Sequence, residues 1–318
     1  MTKSKETKYQ IAQPLTAYFW PFDVPTRLWH CLWVSTTPEL PAGDNPFWRW
    51  ALSGREIEDL KRVPWWITLR CRADDTALSK RQQRAVEIVR YSRLAIQLVA
   101  PVGCNESTIV ISGPNGVSTV HPPSMPSTPW GRVNGYENAS LDEIRRVVRG
   151  VNSIFRFRIP QLINSLNFLE LGFGAENQYI STFLWVSGLD SILMAGTPQN
   201  FRRRLVNILG EQTFVLPKVD PGGQPKYRVG EIAEEVYELR SKIAHGSLIP
   251  KKFLEQVRLK NVNDRIIESY GPPTQYLHIV RECALFLLIG VLKKIFLEDC
   301  AKVANSTGLW RSKLNKPW

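Results

Sequence analysis

The sequence predicts an α+β N-terminal domain, residues 1–138, followed by an all-α helical bundle over 139–318. Three observations carry that prediction. Eight of the 11 Trp lie before residue 140, among short runs rich in β-branched residues. A segment with four prolines and no apolar period, HPPSMPSTPWGRVNGYENAS, then interrupts the chain and reads as a linker. Beyond it, apolar residues recur at helical spacing.

In the first half, STIVIS and GVSTV flank Gly113-Pro114-Asn115-Gly116, and an Asn-Gly turn between β-branched runs signals a hairpin. One long helix is expected around LSKRQQRAVEIVRYSRLAIQLVA. After the linker, Ser140 and Glu143 have the spacing of a capping box, in which each side chain satisfies a backbone N–H left open at a helix start. Helices are predicted over 141–157, 159–171, 176–195, 198–209, 229–245, 252–260 and 273–299. The fourth opens on Thr197-Pro198, a capping residue followed by proline where a missing N–H costs nothing. In the fifth, Ile232, Val236, Leu239 and Ile243 form one apolar stripe.

The 318 residues allow two domains. The 41 basic residues outnumber the 29 acidic ones, a formal net charge of +12. The excess is +4 before residue 140 and +8 after it, so a polyanionic partner is favoured and the second half is the place to look for it. Cys31, Cys71, Cys104, Cys283 and Cys300 are scattered and form no C-x-x-C, which predicts free thiols in a reducing compartment and no zinc site. The first ten residues, MTKSKETKYQ, hold no apolar leader. CALFLLIGVL at 283–292 falls short of the roughly 20 residues of a membrane span. A cytoplasmic protein without a membrane segment is expected.

Among the titratable residues, Arg240 and His245 in VYELRSKIAHGSLIP draw attention. A histidine moves protons near neutral pH and an arginine holds a phosphate with a permanently charged fork. Together they suffice to cleave RNA without metal or cofactor: proton transfer helps the 2′-hydroxyl attack and the 5′-oxygen leave, and the guanidinium stabilises the phosphoryl charge. Five residues of ideal helix separate the two by about 140° and about 7.5 Å. They converge only if the helix ends near Ala244, as Gly246 suggests by offering a left-handed cap, or if two subunits contribute. Spacing alone is weak, because 25 Arg and four His give roughly one such pair by chance in a chain of this size.

Context adds to the spacing. ELRSKIAHG closes an amphipathic helix and is preceded by FLWVSGLDSILMAG in an earlier one. In that order, within a helical bundle, the two segments resemble the HEPN superfamily (higher eukaryotes and prokaryotes nucleotide-binding), and more closely its Apea-like branch. Leu184-Trp185, Leu189 to Leu193 and Arg240 to Gly246 carry the likeness, which covers roughly residues 141–300. It implies a metal-independent endoribonuclease with Arg240 and His245 in the R-x4–6-H motif. It also implies a homodimer that brings two motifs to one RNA strand, and a setting in phage defence or a toxin–antitoxin pair with an antitoxin or regulatory partner. Ser241 stands where many members have Asn, Asp or His after the arginine, Asp190 stands in the acidic position of the earlier helix, and Ser247 replaces the tyrosine that is adenylylated in some members.

Arg202, Arg203 and Arg204 are candidate RNA contacts, although three successive residues fan around a helix and cannot all meet one strand. Lys242, Lys251 and Lys252 flank the motif and are candidates to steer single-stranded or tRNA-like RNA. The Trp-rich half offers core packing or, at NPFWRW with Arg49 between Trp48 and Trp50, a platform for unpaired bases. His30 in RLWHCLW reads as a core histidine, His121 as a loop residue, and His278 as buried or near His245. Phosphate-loop, dinucleotide, zinc-protease and serine-hydrolase signatures are missing. Two functions stay open: the nuclease, or an RNA-binding or regulatory module in which Arg240 and His245 are structural.

Overall fold

The computed structural model describes residues 7–16, 20–36, 54–73, 78–99, 108–113, 116–120, 140–215, 227–263, 266–299, 303–304 and 306–318. The chain divides into two compact units, and among the described residues the first ends at Ser153 and the second begins at Ile154.

The first unit is built on a six-stranded antiparallel sheet: β1 (Thr7–Thr16), β2 (Thr26–Trp29), β3 (Leu32–Ser35), β4 (Trp65–Ala73), β5 (Ile109–Gly113) and β6 (Gly116–Val120), in the order β2-β3-β4-β1-β5-β6. The hairpin expected around Asn115-Gly116 is β5–β6, with Gly113 opposite Gly116. β1 holds the centre, pairing Ile11 with Leu69 of β4 and with Ile111 of β5. A short helix α1 (Gly54–Arg62) precedes β4, and the long helix α2 (Leu78–Val99) packs on β1 and β4. Trp20 and Trp66 are core, as an apolar ring in a small sheet domain tends to be. Trp48, Trp50, Trp130 and His121 lie outside the described residues.

His30 corrects an expectation. It is not in the core but exposed in the β2–β3 turn at φ +39°, where its carbonyl accepts from Arg27 Nε at 2.9 Å. The turn needs a left-handed residue, and apolar neighbours in sequence do not disclose that.

Helix α3 (Leu141–Phe157) occurs where predicted, yet up to Ser153 it belongs with the first unit instead of opening the second. Asn152 Nδ2 donates to Ser92 Oγ of α2 at 3.0 Å, and Arg145 Nε to the Arg27 carbonyl at 3.0 Å.

The second unit holds α4 (Pro160–Gly174), α5 (Gln178–Leu193), α6 (Pro198–Leu209), α7 (Val229–Ala244), the single turn α8 (Lys251–Leu254), α9 (Tyr276–Leu297) and α10 (Thr307–Leu314). It is not all-α. The segment expected as a helix over 252–260 is mostly β7 (Gln256–Asn263), which pairs with β8 (Ile266–Gln275) in a hairpin. Alternation at Val257 and Leu259, a turn-prone Asn263-Asp264 and the β-branched pair Ile266-Ile267 favour strand pairing once the two segments meet.

Apolar on every side, α9 is the spine of this unit and packs on α4 through α8. Fifteen of its side chains are buried, among them the CALFLLIGVL run save Gly290. Among the described residues no single helix is long and apolar enough to cross a membrane. Against α9 and α4 lies α5, whose Trp185 is fully buried and donates to the Leu169 carbonyl at 3.1 Å. Its indole fills the space beside Gly172, where an added Cβ would stand 2.1 Å from Nε1.

Gly172→Ala is therefore expected to cost about 2 to 3 kcal/mol in denaturant unfolding, because the indole must leave its hydrogen bond to make room. Gly308→Ala, which meets nothing within 4 Å, is the control and is expected to stay within about 1 kcal/mol of wild type.

Candidate functional site

The site forms where the C-terminal turns of α5 and α7 meet. α7 ends as its sequence suggests: Gly246 takes φ +60°, its N–H donates to the Ile243 carbonyl at 3.2 Å, and the Ser247 N–H reaches back to Lys242 at 2.9 Å. These two bonds are a Schellman cap, for which glycine is suited because no Cβ opposes the left-handed backbone. His245 is the cap residue itself, at φ −92° and ψ 5°, with its N–H on the Ser241 carbonyl at 3.1 Å. Its side chain is exposed, and among the described residues the imidazole has no hydrogen-bond partner.

One and a half turns earlier, Arg240 faces α5. Its Nη2 lies 3.7 Å from Asp190 Oδ2, with both side chains about a quarter exposed. The guanidinium lies over the ring of Phe183, at 5.7 Å, and over that of Tyr237, at 5.9 Å. Each ring face attracts the cation. Arg240 Nε is buried without a hydrogen-bond partner, and so is Ser187 Oγ. Phe183, Ser187 and Asp190 stand at offsets 0, 4 and 7, one face of α5.

Asp190 also anchors the turn after its own helix. Its carbonyl accepts from the Met194 N–H at 2.7 Å, with Met194 left-handed at φ 51°, and its Oδ1 from the Ala195 N–H at 3.3 Å. One carboxylate thus closes α5 and holds Arg240.

Asp190 and Arg240 are brought together; the remaining predicted residues separate by role. Ser241 and Lys242 follow on α7 and are half-buried. Lys251 is exposed, while Lys252 donates to Glu238 Oε2 at 2.8 Å. The three consecutive arginines of α6 diverge as their spacing requires. Arg202 donates to the Gly230 carbonyl and to Glu211, each at 2.9 Å. Arg203 is exposed and bonds Asn200 at 2.9 Å. Arg204 is corrected as an RNA contact: it is buried, and its Nη1 donates to the Leu193 and Met194 carbonyls at 2.6 Å each, which α5 leaves open at its end.

Phe183, Tyr237 and Ser187 escape the sequence reading. Tyr237 lies three residues before Arg240, a spacing that would have found it; Phe183 and Ser187 depend on which helix α7 meets.

Comparison with protein-family models, with curated proteins and with solved structures finds no match for this chain. Among the described residues no group of three or more His, Cys, Asp or Glu is placed to hold a metal ion.

A second polar cluster lies between α5 and α9. Arg281 Nε donates to Ser181 Oγ at 2.9 Å, with its guanidinium 5.2 Å over Trp185. Beside it Glu282 is buried, and burial pushes its carboxyl up to about 7 against the pull of Arg281, 3.9 Å away. His278, one turn back, has its pKa lowered by burial and then by Arg281. It belongs to this cluster.

Two outcomes are expected. Arg204→Ala should cost about 2 to 3 kcal/mol on thermal or denaturant unfolding, since two buried carbonyls lose a charged donor, while Arg203→Ala should stay within about 0.5 kcal/mol. Glu282 favours its protonated form when folded, so its contribution is complete below about pH 4.5 and is lost as pH rises through about 7. Glu282→Gln should remove that loss and gain on wild type across this window, by at most about 3 kcal/mol at pH 8. Chemical denaturation at several pH values reads it; His278 charges alike in both proteins and drops out of the difference.

Proposed function

We propose that this chain is a HEPN-type, metal-independent endoribonuclease that cuts RNA through its 2′-hydroxyl, leaving 2′,3′-cyclic phosphate and 5′-hydroxyl ends. One observation carries the reading most: Arg240 is paired with Asp190 at 3.7 Å and lies beside two rings while its side chain stays about a quarter exposed, and the imidazole of His245 stands exposed at the end of the same helix. In this reading His245 moves the proton and Arg240 anchors the phosphate and the charge that builds on it. Asp190 positions Arg240, and Ser241 lies beside it. Lys242 and Lys251 supply positive charge along the approach.

The proposal includes a homodimer that brings two motifs to one strand, a cytoplasmic setting, and a role in phage defence or with an antitoxin-like regulator. No cofactor enters the mechanism. A different class of function has its own support: Asp190 and Arg240 pair with one another between α5 and α7, as a purely structural pair does, which suits an RNA-binding or regulatory module.

The deciding experiment offers a mixed pool of tRNA and single-stranded RNA in EDTA to wild type, His245→Ala and Arg240→Ala. Cutting by wild type that leaves cyclic phosphate ends, with each variant slower by about 10²-fold or more, is the expected result. Equal cutting by all three, or binding without cutting, would sink the nuclease and leave the module.

A further inference from the structure

Helices α6 and α10 carry a basic surface with no acidic residue of their own. Neither Pro198–Leu209 nor Thr307–Leu314 contains Asp or Glu, and none follows α10 through residue 318. The first acidic residue past α6, Glu211, is engaged by Arg202 at 2.9 Å. Arg203, Arg311 and Lys316 are exposed, and the half-buried Lys313 holds its ammonium 4.7 Å over the Trp318 ring. Arg203 and Arg204 both bond Asn315, the residue that follows α10, and after burial it is Arg203 and Arg311 that press the pKa of Arg204 downward.

The fold holds the like charges together. Asn315 Oδ1 accepts from Arg203 Nη2 at 3.4 Å and from Arg204 Nε at 3.3 Å. Asn207 Nδ2 donates to the Leu314 carbonyl and accepts at its own carbonyl from the Trp318 N–H, each at 3.0 Å. Trp310 fixes the inner face by donating to the Ile192 carbonyl at 2.8 Å. Among the described residues Arg203, Arg311, Lys313 and Lys316 form no ion pair with a carboxylate, and like charges held together repel one another until a polyanion lies across them.

Its place is informative. Arg204 grips the Leu193 and Met194 carbonyls, and Met194 is bonded to Asp190, the partner of Arg240. The basic surface therefore lies at the same end of the helical unit as the candidate site. A membrane surface fits less well, because α10 turns Trp310 and Leu314 inward and leaves Leu309 as its exposed apolar side chain, whereas interfacial helices present a broad apolar face.

We propose that α6 and α10 form a second RNA contact, in which Arg203, Arg311, Lys313 and Lys316 bind the phosphate backbone of the strand presented to Arg240 and His245. This rests on the nuclease reading for the identity of the polyanion. The test measures binding and not cleavage: a labelled single-stranded RNA is titrated over a range of salt with the full chain carrying His245→Ala, and with the same chain also carrying Arg311→Gln, Lys313→Gln and Lys316→Gln. The slope of log K against log salt is expected to fall by about 2 in magnitude, near 0.7 per phosphate contact, and affinity at 0.15 M salt by about tenfold or more.

Arg311→Gln/Lys316→Gln, confined to exposed side chains, should move the slope by about 1.4 and serves if the triple variant does not fold. An unchanged slope and affinity overturn this surface and leave the nuclease to the EDTA assay. A reduced slope in a protein whose wild type never cuts keeps the surface and removes the nuclease. Absence of RNA binding, with anionic phosphatidylserine vesicles bound instead, overturns the surface in favour of a membrane.

Discussion

Much of the second unit depends on how one helix ends. The last carbonyls of α5 have no partner within the helix, and a buried end must find donors elsewhere. Here they come from distant parts of the chain: Trp310 donates to Ile192, and Arg204 to Leu193 and Met194. Asp190 closes the turn through Met194 and Ala195 and reaches α7 through Arg240. A single turn therefore sets the positions of α6, α7 and α10 together. An uncompensated carbonyl in the interior costs about as much as any one of these bonds contributes twice over, so the arrangement is hard to vary piecemeal.

That constraint also shapes the chemistry. A phosphate anchor is useful when its geometry exists before the substrate arrives, and Arg240 is held by a carboxylate and two rings. The proton-moving group is held differently: His245 has its backbone fixed by the Schellman cap and its ring left in solvent. One half of the pair is held through its side chain and the other through its backbone. The basic surface of α6 and α10 grows from the same turn, through Arg204 and Asn315.

The legible features were those whose cause is local. Thr197-Pro198 begins α6, with the threonine oxygen accepting from the Asn200 N–H. Gly246 ends α7, and α3 and α6 have the boundaries read from capping and periodicity. The illegible features were decided by which segments meet in the fold. β7 follows a helical turn and becomes a strand because β8 pairs with it. α3 joins the first unit because Ser92 and Arg27 meet it there. Of three consecutive arginines, only contacts with Gly230, Asn200 and the end of α5 tell one role from the next.

By itself, the sequence determined the two-part organisation, most helix limits, the apolar spine of α9, the excess of positive charge, and Arg240 and His245 as the residues to weigh. Capping, turn preference and amphipathic period act within a few residues, so they can be read in one dimension. Tertiary structure alone decided that Asp190 meets Arg240, that Phe183 lies beside it, that Arg204 is buried, and that Asn315 and Arg311 come to Arg203 and Arg204. Apart from the burial of Arg204, those contacts join residues from about 50 to more than 100 positions apart, and they exist only because burying α9 and closing α5 leave each surrounding helix one place to pack.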